Sequence, residues 1–296
     1  MTRGDDLEDD FIADDIVALS EDEAESFEGH DPMSTQSEEP ESTTAQIIVA
    51  KTEKKRKRRE QERLKFKERK KRKLAAATND PGFERSITEQ PPHALAEYLA
   101  AFQSKTFSST MSALELGDIR IPADSIADTS IWTGPRTLDN LVDFIIKVLP
   151  NLRLRLSQRS KTTGAPTLLF VAGAALRVVD VTRVLKDKRL RGEKGGEVAK
   201  LFAKHFKLAE HVTYLRRTKV GSAVGTPGRI GKLLCETDAL AVNALSHIIL
   251  DCSFIDSKNR SMLDIPETRD EVFKTVLGAP KVLQAIKEGK IQVVLF

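Results

Sequence analysis

The stretch SAVGTPGRI, residues 222–230, is the most specific local indication of the fold in this sequence. Its first four residues are small or apolar, as in a strand buried on both faces. Thr226 is a residue type that often caps helices, and Pro227 suits the first helical position, where a missing N–H costs nothing. Gly228 lets another backbone come close. The stretch therefore predicts a buried strand that runs directly into a helix.

The start of this predicted helix combines free backbone amides with a basic residue, Arg229. Helix N-termini attract anions because their first amides have no partner in the helix and carry a partial positive charge. Thr226, Gly228 and Arg229 are therefore candidate contacts to a phosphate backbone. A capped helix start with a surface arginine explains the same residues without a ligand, and the stretch alone leaves both interpretations open.

On both sides of this stretch, short apolar runs alternate with segments of helical period through residues 95–296. The run TLLFV, residues 167–171, lies between Pro166 and Gly173 and predicts another buried strand. Further strands are predicted at 212–215, 222–225, 247–250 and 292–296. Helices are predicted at 138–149, 174–186, 197–205, 227–235, 267–276 and 281–288. This order predicts an α/β fold with a mainly parallel sheet covered on both faces, whose ligands bind beyond the carboxyl ends of the strands.

The charge of the 296-residue chain is divided very unevenly along its length. The formal net charge is only +3, but residues 1–41 hold sixteen acids and one base, whereas residues 51–73 hold fifteen bases and four acids. The remaining residues, 74–296, carry a net charge of +7. We therefore expect three parts: an acidic tail over 1–50, a basic arm over 51–78 and a folded domain over 79–296.

Several classes of protein do not fit this sequence. Its two cysteines, Cys235 and Cys252, cannot form a disulfide framework or a four-ligand zinc site, and its histidines are too dispersed for a metal site. No apolar run of about 18 residues is present, and an acidic start is the opposite of a secretory signal. We expect an intracellular protein with no bound metal and no membrane partner.

The acidic tail has too few large apolar residues to offset the entropy of ordering its backbone, so we expect it to be disordered. It serves either solubility or contact with a partner. The basic arm has almost no apolar face. Such a run is typical of nuclear import signals and also attracts nucleic-acid backbones, although a solvated charged helix has the same composition. The candidates for contact with an import receptor are Lys54, Lys55, Arg56, Lys57, Arg58 and Arg59.

Two further basic clusters lie inside the predicted domain. The first comprises Lys186, Lys188, Arg189 and Arg191 together with the segment 192–196, which contains Lys194, and the second comprises Arg216, Arg217 and Lys219. Each is explained by a solvated surface. If both met Arg229 at one edge of the sheet, they would instead form a single RNA track.

Four segments resemble the motifs of DEAD-box RNA helicases and occur in the same order. Residues 165–177, APTLLFVAGAALR, resemble the strand followed by the Pro-Thr-Arg-Glu-Leu-Ala motif, and VGTPGRI resembles a motif that contacts the RNA backbone. Residues 245–254, LSHIILDCSF, resemble the strand that ends in Asp-Glu-Ala-Asp, and residues 290–296 resemble the strand before the Ser-Ala-Thr motif. The resemblance implies a single RecA-like domain of the P-loop NTPase type.

The departures from this pattern argue against catalysis. The best match to the phosphate loop, residues 131–137, is one residue short, with Pro135 removing an amide donor and Arg136 standing where the family has lysine. Asp251 keeps the magnesium-binding carboxylate, but Cys252 replaces the glutamate that activates water. The vestigial nucleotide site would comprise Thr133, Gly134, Arg136, Thr137 and Asp251. We also expect no room for a second RecA-like domain, no bound cofactor, and neither helicase nor ATPase activity.

The degenerate domain, acidic tail and basic run together resemble the helicase-like, catalytically unproductive subunit of the snoRNA-containing small-subunit pre-ribosomal complex. The resemblance implies a nuclear and nucleolar factor of ribosome biogenesis and rRNA processing. Its partners would be pre-rRNA or snoRNA, pre-ribosomal proteins and an import receptor, with Arg177 a further RNA-backbone candidate. Two other hypotheses stay open: a protein-only scaffold whose arm serves import, and a domain that senses ATP without hydrolysing it.

Overall fold

The structure, a computed structural model, describes residues 87–204 and 206–296. The predicted acidic tail, the basic arm with its six import candidates, and the first residues of the predicted domain lie outside these described residues. Among the helices that are described, none is both long and apolar enough to cross a membrane.

The centre of the domain is a five-stranded sheet in which all neighbouring strands are parallel. Its strands are β1 (Leu168–Val171), β2 (Glu197–Leu201), β3 (Val220–Gly225), β4 (His247–Leu250) and β5 (Gln292–Leu295). Their spatial order is β2-β3-β1-β4-β5. The predicted α/β class with a mainly parallel sheet is confirmed.

Strand β1 lies in the middle of the sheet. Leu168 is paired with Ser222 of β3 on one side and with His247 of β4 on the other. All four residues of β1 are buried, because helices cover both faces of the sheet. This explains why its sequence is continuously apolar and does not alternate with polar residues.

The helices form a layer on each face. They are α1 (Pro92–Phe107), α2 (Ala113–Ile119), α3 (Leu141–Val148), α4 (Pro150–Leu156), α5 (Ala175–Leu185), α6 (Lys188–Arg191), α7 (Leu208–Arg217), α8 (Pro227–Cys235), α9 (Pro266–Glu271) and α10 (Pro280–Lys287), with a π-helix at Val272–Val276 after α9. Successive strand residues face opposite layers: Leu169 packs in the core with α1, α7, α8 and α10, and Phe170 in the core with α3 to α6.

The outer edge of β5 pairs with no full strand among the described residues. Ile126 forms a single parallel bridge with Val293, and the Ala127 amide donates to the Val293 carbonyl at 2.9 Å. The segment then leaves the sheet and enters the 131–137 loop. Burial at this edge is completed by aromatic side chains, since the Phe296 ring lies 5.0 Å from Phe144 and 6.4 Å from Phe170.

Two of the predicted elements were wrong in type. Residues 197–205 were expected to be a helix, but Glu197–Leu201 is the edge strand β2. Residues 212–215 were expected to be a strand, but they lie in α7. The physical reason for the second error is the longer period: Leu208, His211, Val212 and Leu215 recur at helical spacing and face the core.

We predict that Gly196→Ala lowers the free energy of unfolding by roughly 1–3 kcal/mol, the cost of forcing an extra methyl group into close packing. A Cβ at Gly196 would lie 2.8 Å from the Gly221 Cα, where β2 and β3 begin side by side. Urea denaturation measures the change.

Gly117→Ala is the matched control, because Gly117 is exposed in α2 and a Cβ there would meet nothing within 4 Å. We expect this variant to be as stable as the wild type or up to about 1 kcal/mol more stable. Equal stabilities for the two variants would contradict the close approach of β2 and β3.

Candidate functional site

The carboxyl edge of the sheet brings together the residues that follow its strands. Arg177 lies in the first turn of α5 after β1, Thr226 follows β3, and Asp251 follows β4. The Asp251 amide donates to the Val171 carbonyl at 3.0 Å, which fixes the carboxylate beside the end of β1. This edge is where parallel α/β sheets place their ligand sites.

The Asp251 carboxylate is paired with the Arg177 guanidinium inside the protein. Asp251 is fully buried, and Arg177 Nε donates to its Oδ2 at 2.7 Å while Nη2 donates to Oδ1 at 3.2 Å. Two parallel hydrogen bonds of this kind are the strongest geometry between arginine and a carboxylate. Arg177, a candidate for RNA contact, is the internal partner of Asp251, the residue that matches the magnesium-binding carboxylate of the helicase motif.

Ser253 and Phe254 complete this ion pair. Ser253 Oγ donates to Asp251 Oδ1 at 2.8 Å and accepts from Arg177 Nη2 at 2.9 Å. The Arg177 guanidinium also lies 5.5 Å from the centre of the Phe254 ring. Both carboxylate oxygens therefore have partners within the chain. Across residues 87–204 and 206–296, no group of three acidic, histidine or cysteine side chains is placed to hold a metal ion.

Arg136 also points into the protein. Its Nη1 donates to the Leu295 carbonyl at 3.0 Å, and its Nη2 donates to the Thr88 carbonyl at 2.6 Å and to Thr129 Oγ1 at 3.0 Å. The guanidinium lies 5.1 Å from the Phe144 ring centre. Burial lowers the pKa of Arg136. The arginine therefore stabilises the end of β5 and the segment beside it.

The rest of the predicted phosphate loop has local contacts only. Thr133 is exposed, Gly134 lies against the Trp132 ring, and Thr137 Oγ1 accepts from Asn140 Nδ2 at 3.1 Å. No hydrogen bond or ion pair between described residues joins this loop to Asp251. The structure thus brings Arg136 to the sheet edge without assembling the five vestigial residues into one site.

Cys252, at the position of the missing glutamate, is held by its backbone. Its amide donates to the Phe296 carbonyl at 2.7 Å. Burial, aided by the negative charge of Asp251, raises the pKa of the Cys252 thiol to about 12. The side chain is therefore neutral at pH 7 and cannot take a proton from water as a general base.

A carboxylate of the chain itself, that of Glu271, lies at the N-terminus of α8. The Gly228 amide donates to the Glu271 carboxylate, and a Cβ at Gly228 would collide with that carboxylate. Burial raises the pKa of Glu271, while the Gly228 bond and Lys232 oppose this change. Thr226 is the N-cap residue of α8, as predicted, although its side chain makes no capping hydrogen bond.

Arg229 is buried, contrary to the interpretation of it as a surface arginine. Its residue is 8% exposed, and Nη2 donates to the Phe206 carbonyl at 2.7 Å. Nε and Nη1 are buried without a hydrogen-bond partner among the described residues. Burial lowers the pKa of Arg229. The guanidinium thus joins the start of α8 to the segment before α7.

The basic clusters do not meet Arg229. Lys188, Arg189 and Arg191 precede β2, and Arg216, Arg217 and Lys219 precede β3, so both clusters lie toward the amino edge of the sheet. Arg229 follows β3 at the opposite edge. Arg189 is also paired with Asp143 at 2.8 Å and with Asp187 at 3.0 Å.

Sequence reasoning missed two important side chains at the carboxyl edge. Ser253 lies two residues after Asp251, and that spacing was a usable signal because short polar side chains often bond to neighbouring groups in turns. Glu271 is 43 positions from Gly228. No local pattern indicated that contact, since it depends on how the π-helix and α9 pack against α8.

A family model described as "CMS1: U3-containing 90S pre-ribosomal complex subunit" matches residues 36–296. Protein CMS1 of Chaetomium thermophilum is 40% identical over 198 residues, which cover 67% of this chain and 76% of that protein. Protein cms1 of Schizosaccharomyces pombe is 34% identical over 207 residues, covering 70% of each chain. Protein CMSS1 of Homo sapiens is 30% identical over 209 residues, also covering 70% of each.

Similar solved structures include a DEAD box protein from Methanococcus jannaschii. It has a TM-score of 0.34 and 18% identity, and the match covers 55% of this chain and 37% of that one. Mss116p bound to single-stranded RNA and AMP-PNP has a TM-score of 0.38 and 14% identity, with 72% of this chain and 41% of that one covered.

We predict that Arg177→Met lowers the free energy of unfolding by about 3–5 kcal/mol, because it leaves the Asp251 charge buried without a partner. The double variant Arg177→Met with Asp251→Leu should recover most of that loss. Urea denaturation at pH 7 measures both changes.

Arg183→Met is the control, since Arg183 lies in the same helix and its ion pair with Asp180 is exposed. We expect a change of about 1 kcal/mol or less for this variant. A similar, small effect at Arg177 would show that Asp251 does not depend on its partner.

His211 makes the stability of the domain depend on pH. Burial lowers the pKa of His211 to about 4, with the nearby Arg229 adding to the effect. The unfolded chain therefore binds a proton near pH 6.5 that the folded chain does not, so the stability associated with His211 is lost as pH falls from about 7 toward 4.

His211→Gln should flatten this pH dependence. The measurement is the difference in unfolding free energy between pH 7 and pH 5, which should be smaller in the variant than in the wild type. An unchanged difference would show that His211 titrates normally in the folded protein.

Proposed function

This chain belongs to the CMS1 family of U3-containing 90S pre-ribosomal complex subunits, and from this we propose that it is a non-enzymatic assembly factor of the small-subunit pre-ribosome. Membership of that family supports a role in ribosome biogenesis. More specifically, we propose that the helicase-like domain contributes to assembly and rRNA processing through its contacts with other components and hydrolyses no ATP.

The observation that carries this proposal is the ion pair between Arg177 and Asp251. A magnesium ion needs free carboxylate oxygens, and ATP hydrolysis needs magnesium between the phosphates. In this chain Arg177 and Ser253 take both Asp251 oxygens, and the guanidinium supplies the positive charge that a metal would bring. An incoming ion would have to displace a buried, bidentate arginine.

Cys252 and Arg136, which lie near this ion pair, also argue against ATP hydrolysis. The neutral Cys252 thiol cannot activate water. Arg136, which would have to reach a phosphate, donates from Nη1 and Nη2 to the Leu295 and Thr88 carbonyls and to Thr129, and its Nε is buried without a partner among the described residues. Both support a domain without hydrolysis and disfavour the hypothesis that it senses ATP through Asp251.

Nuclear and nucleolar localisation follows from the same proposal, because 90S particles are precursors of the small subunit that assemble there. Entry to the nucleus would use residues 54–59, whose six consecutive bases suit an import receptor. RNA contact through Thr226, Gly228, Arg229 and Arg177 stays a prediction. The internal partners of Arg177 and Gly228 do not favour it, and the two Arg229 donors that have no partner among the described residues are buried.

A protein-binding scaffold is the second candidate, and exposed apolar residues at the carboxyl edge favour it. Leu176 and Ile255 are 47% and 45% exposed, and they adjoin Arg177 and Phe254 in the sequence. Apolar side chains at an edge with no open ligand site suit contact with a protein neighbour.

We predict that Cys252→Glu does not create ATPase activity, even though it restores a carboxylate at the position that would activate water. Arg177 still occupies Asp251, so magnesium has no place to bind. Phosphate release with ATP and magnesium should equal that of the wild-type chain. Magnesium-dependent turnover above that level would contradict the closed site.

Association with the particle tests the function itself. Tagged full-length chain recovered from nuclear extract should enrich U3 snoRNA over 5S rRNA, and replacing ATP by a non-hydrolysable analogue should leave the enrichment unchanged. Absence of U3 enrichment would refute the proposed assembly role. Release by the analogue would refute its non-enzymatic character.

A further inference from the structure

The amino edge of the sheet, opposite to the site described above, brings three loops together. They precede β1, β2 and β3 and comprise residues 157–167, 192–196 and 218–219, the last of which directly follows Arg216 and Arg217 at the end of α7. Since β1, β2 and β3 are parallel and adjacent, the segments that enter them must meet at one edge.

Backbone hydrogen bonds hold the three loops against one another. The Gly164 amide donates to the Thr218 carbonyl at 2.9 Å, which joins the loop before β1 to the loop before β3. The Glu197 amide donates to the Lys219 carbonyl at 3.0 Å, which joins the start of β2 to that same loop. The loops therefore form one continuous surface.

Exposed basic side chains dominate this surface. Six exposed basic side chains on it form no ion pair with another described residue. They are Arg159, Lys161, Lys194, Arg216, Arg217 and Lys219. We call them the amino-edge basic surface. The exposed acids on adjoining segments include Glu193, Glu236 and Asp238, while Glu197 is already paired with Arg191 at 3.0 Å. The six basic side chains outnumber these unpaired acids, so the surface is positive.

We propose that the amino-edge basic surface binds the phosphate backbone of RNA, an inference that rests on the proposed function in a U3-containing particle. Lysine and arginine side chains that neutralise phosphates release condensed counterions, and this release provides most of the affinity for nucleic acid. The six side chains are free to do so because they have no acidic partners to give up.

The same surface offers no exposed aromatic ring on which bases could stack, among the residues that the structure describes. The large apolar side chains that are exposed among the described residues are Leu114, Ile131, Leu154, Leu176 and Ile255, and none is aromatic. Base stacking on single strands uses exposed aromatic rings. The surface therefore recognises the backbone of a structured RNA and is indifferent to its sequence.

This assignment places RNA on the edge opposite to the one that the family motifs indicate. At the carboxyl edge, Arg136, Arg177 and Arg229 all donate to acceptors within the chain. At the amino edge, the arginines and lysines face solvent. The three arginines that the family motifs indicate are therefore engaged within the domain, whereas the six amino-edge cations have no acidic partner among the described residues.

The test uses the full-length chain with alanine at residues 54–59, so that the basic arm contributes less to binding. The probe is a fluorescein-labelled 20-base-pair RNA duplex, titrated at several KCl concentrations. Lys161→Glu, Lys194→Glu and Lys219→Glu together should raise Kd about tenfold or more and reduce the slope of log K against log salt by about 2 to 3, one unit per lost phosphate contact.

The matched control reverses three other exposed lysines, Lys204, Lys207 and Lys258, which follow the carboxyl ends of β2 and β4. This control should bind the duplex within about twofold of the parent. Equal weakening in both triple variants, or no weakening in the amino-edge triple, would overturn the assignment. Polyglutamate of equal charge that binds as tightly as the duplex would assign the surface to an acidic protein and would also overturn it.

U3 enrichment separates failure of this inference from failure of the proposed function. If the wild-type chain enriches U3 snoRNA but the amino-edge triple binds the duplex like its parent, only the RNA surface is refuted. If the wild-type chain enriches no U3 snoRNA, the assembly role fails whatever the duplex shows.

Discussion

The buried ion pair between Arg177 and Asp251 is the interaction on which the functional edge of this domain depends. It joins the first turn of α5 to the end of β4, beside the central strand β1. A buried carboxylate without a partner would be strongly destabilising, so the arginine must remain where it is for the edge to keep its structure. The position that could have held magnesium is therefore part of the internal framework of the domain.

The same pattern recurs along the carboxyl edge. Glu271 accepts from the Gly228 amide at the start of α8, and Arg229 donates to the Phe206 carbonyl. The Gly228 amide and the Arg229 guanidinium could each bind an anion from outside, but each donates a hydrogen bond to an acceptor within the domain. The domain keeps the α/β architecture and uses these strand-end groups for internal contacts.

The sequence predicted most of the sheet because its buried strands are continuous apolar runs, and 247–250 was predicted with the bounds that the structure has. It failed at β2 and α7, where a short edge strand was taken for a helix and a half-exposed helix for a strand. Arg177 and Asp251 were both singled out, but their pairing joins positions 74 apart. Local patterns report residue type and period, whereas such contacts depend on how helices pack on the sheet.

The central claim is tested most directly by nuclear magnetic resonance of the Arg177 side chain. A buried Nε–H that donates to Asp251 at 2.7 Å should exchange slowly with water, whereas the Nε–H of exposed Arg159 should exchange rapidly. We expect the Arg177 signal to stay protected and not to shift when magnesium and ATP are added. A rapidly exchanging Nε–H, or one that shifts or loses protection with magnesium, would contradict the account.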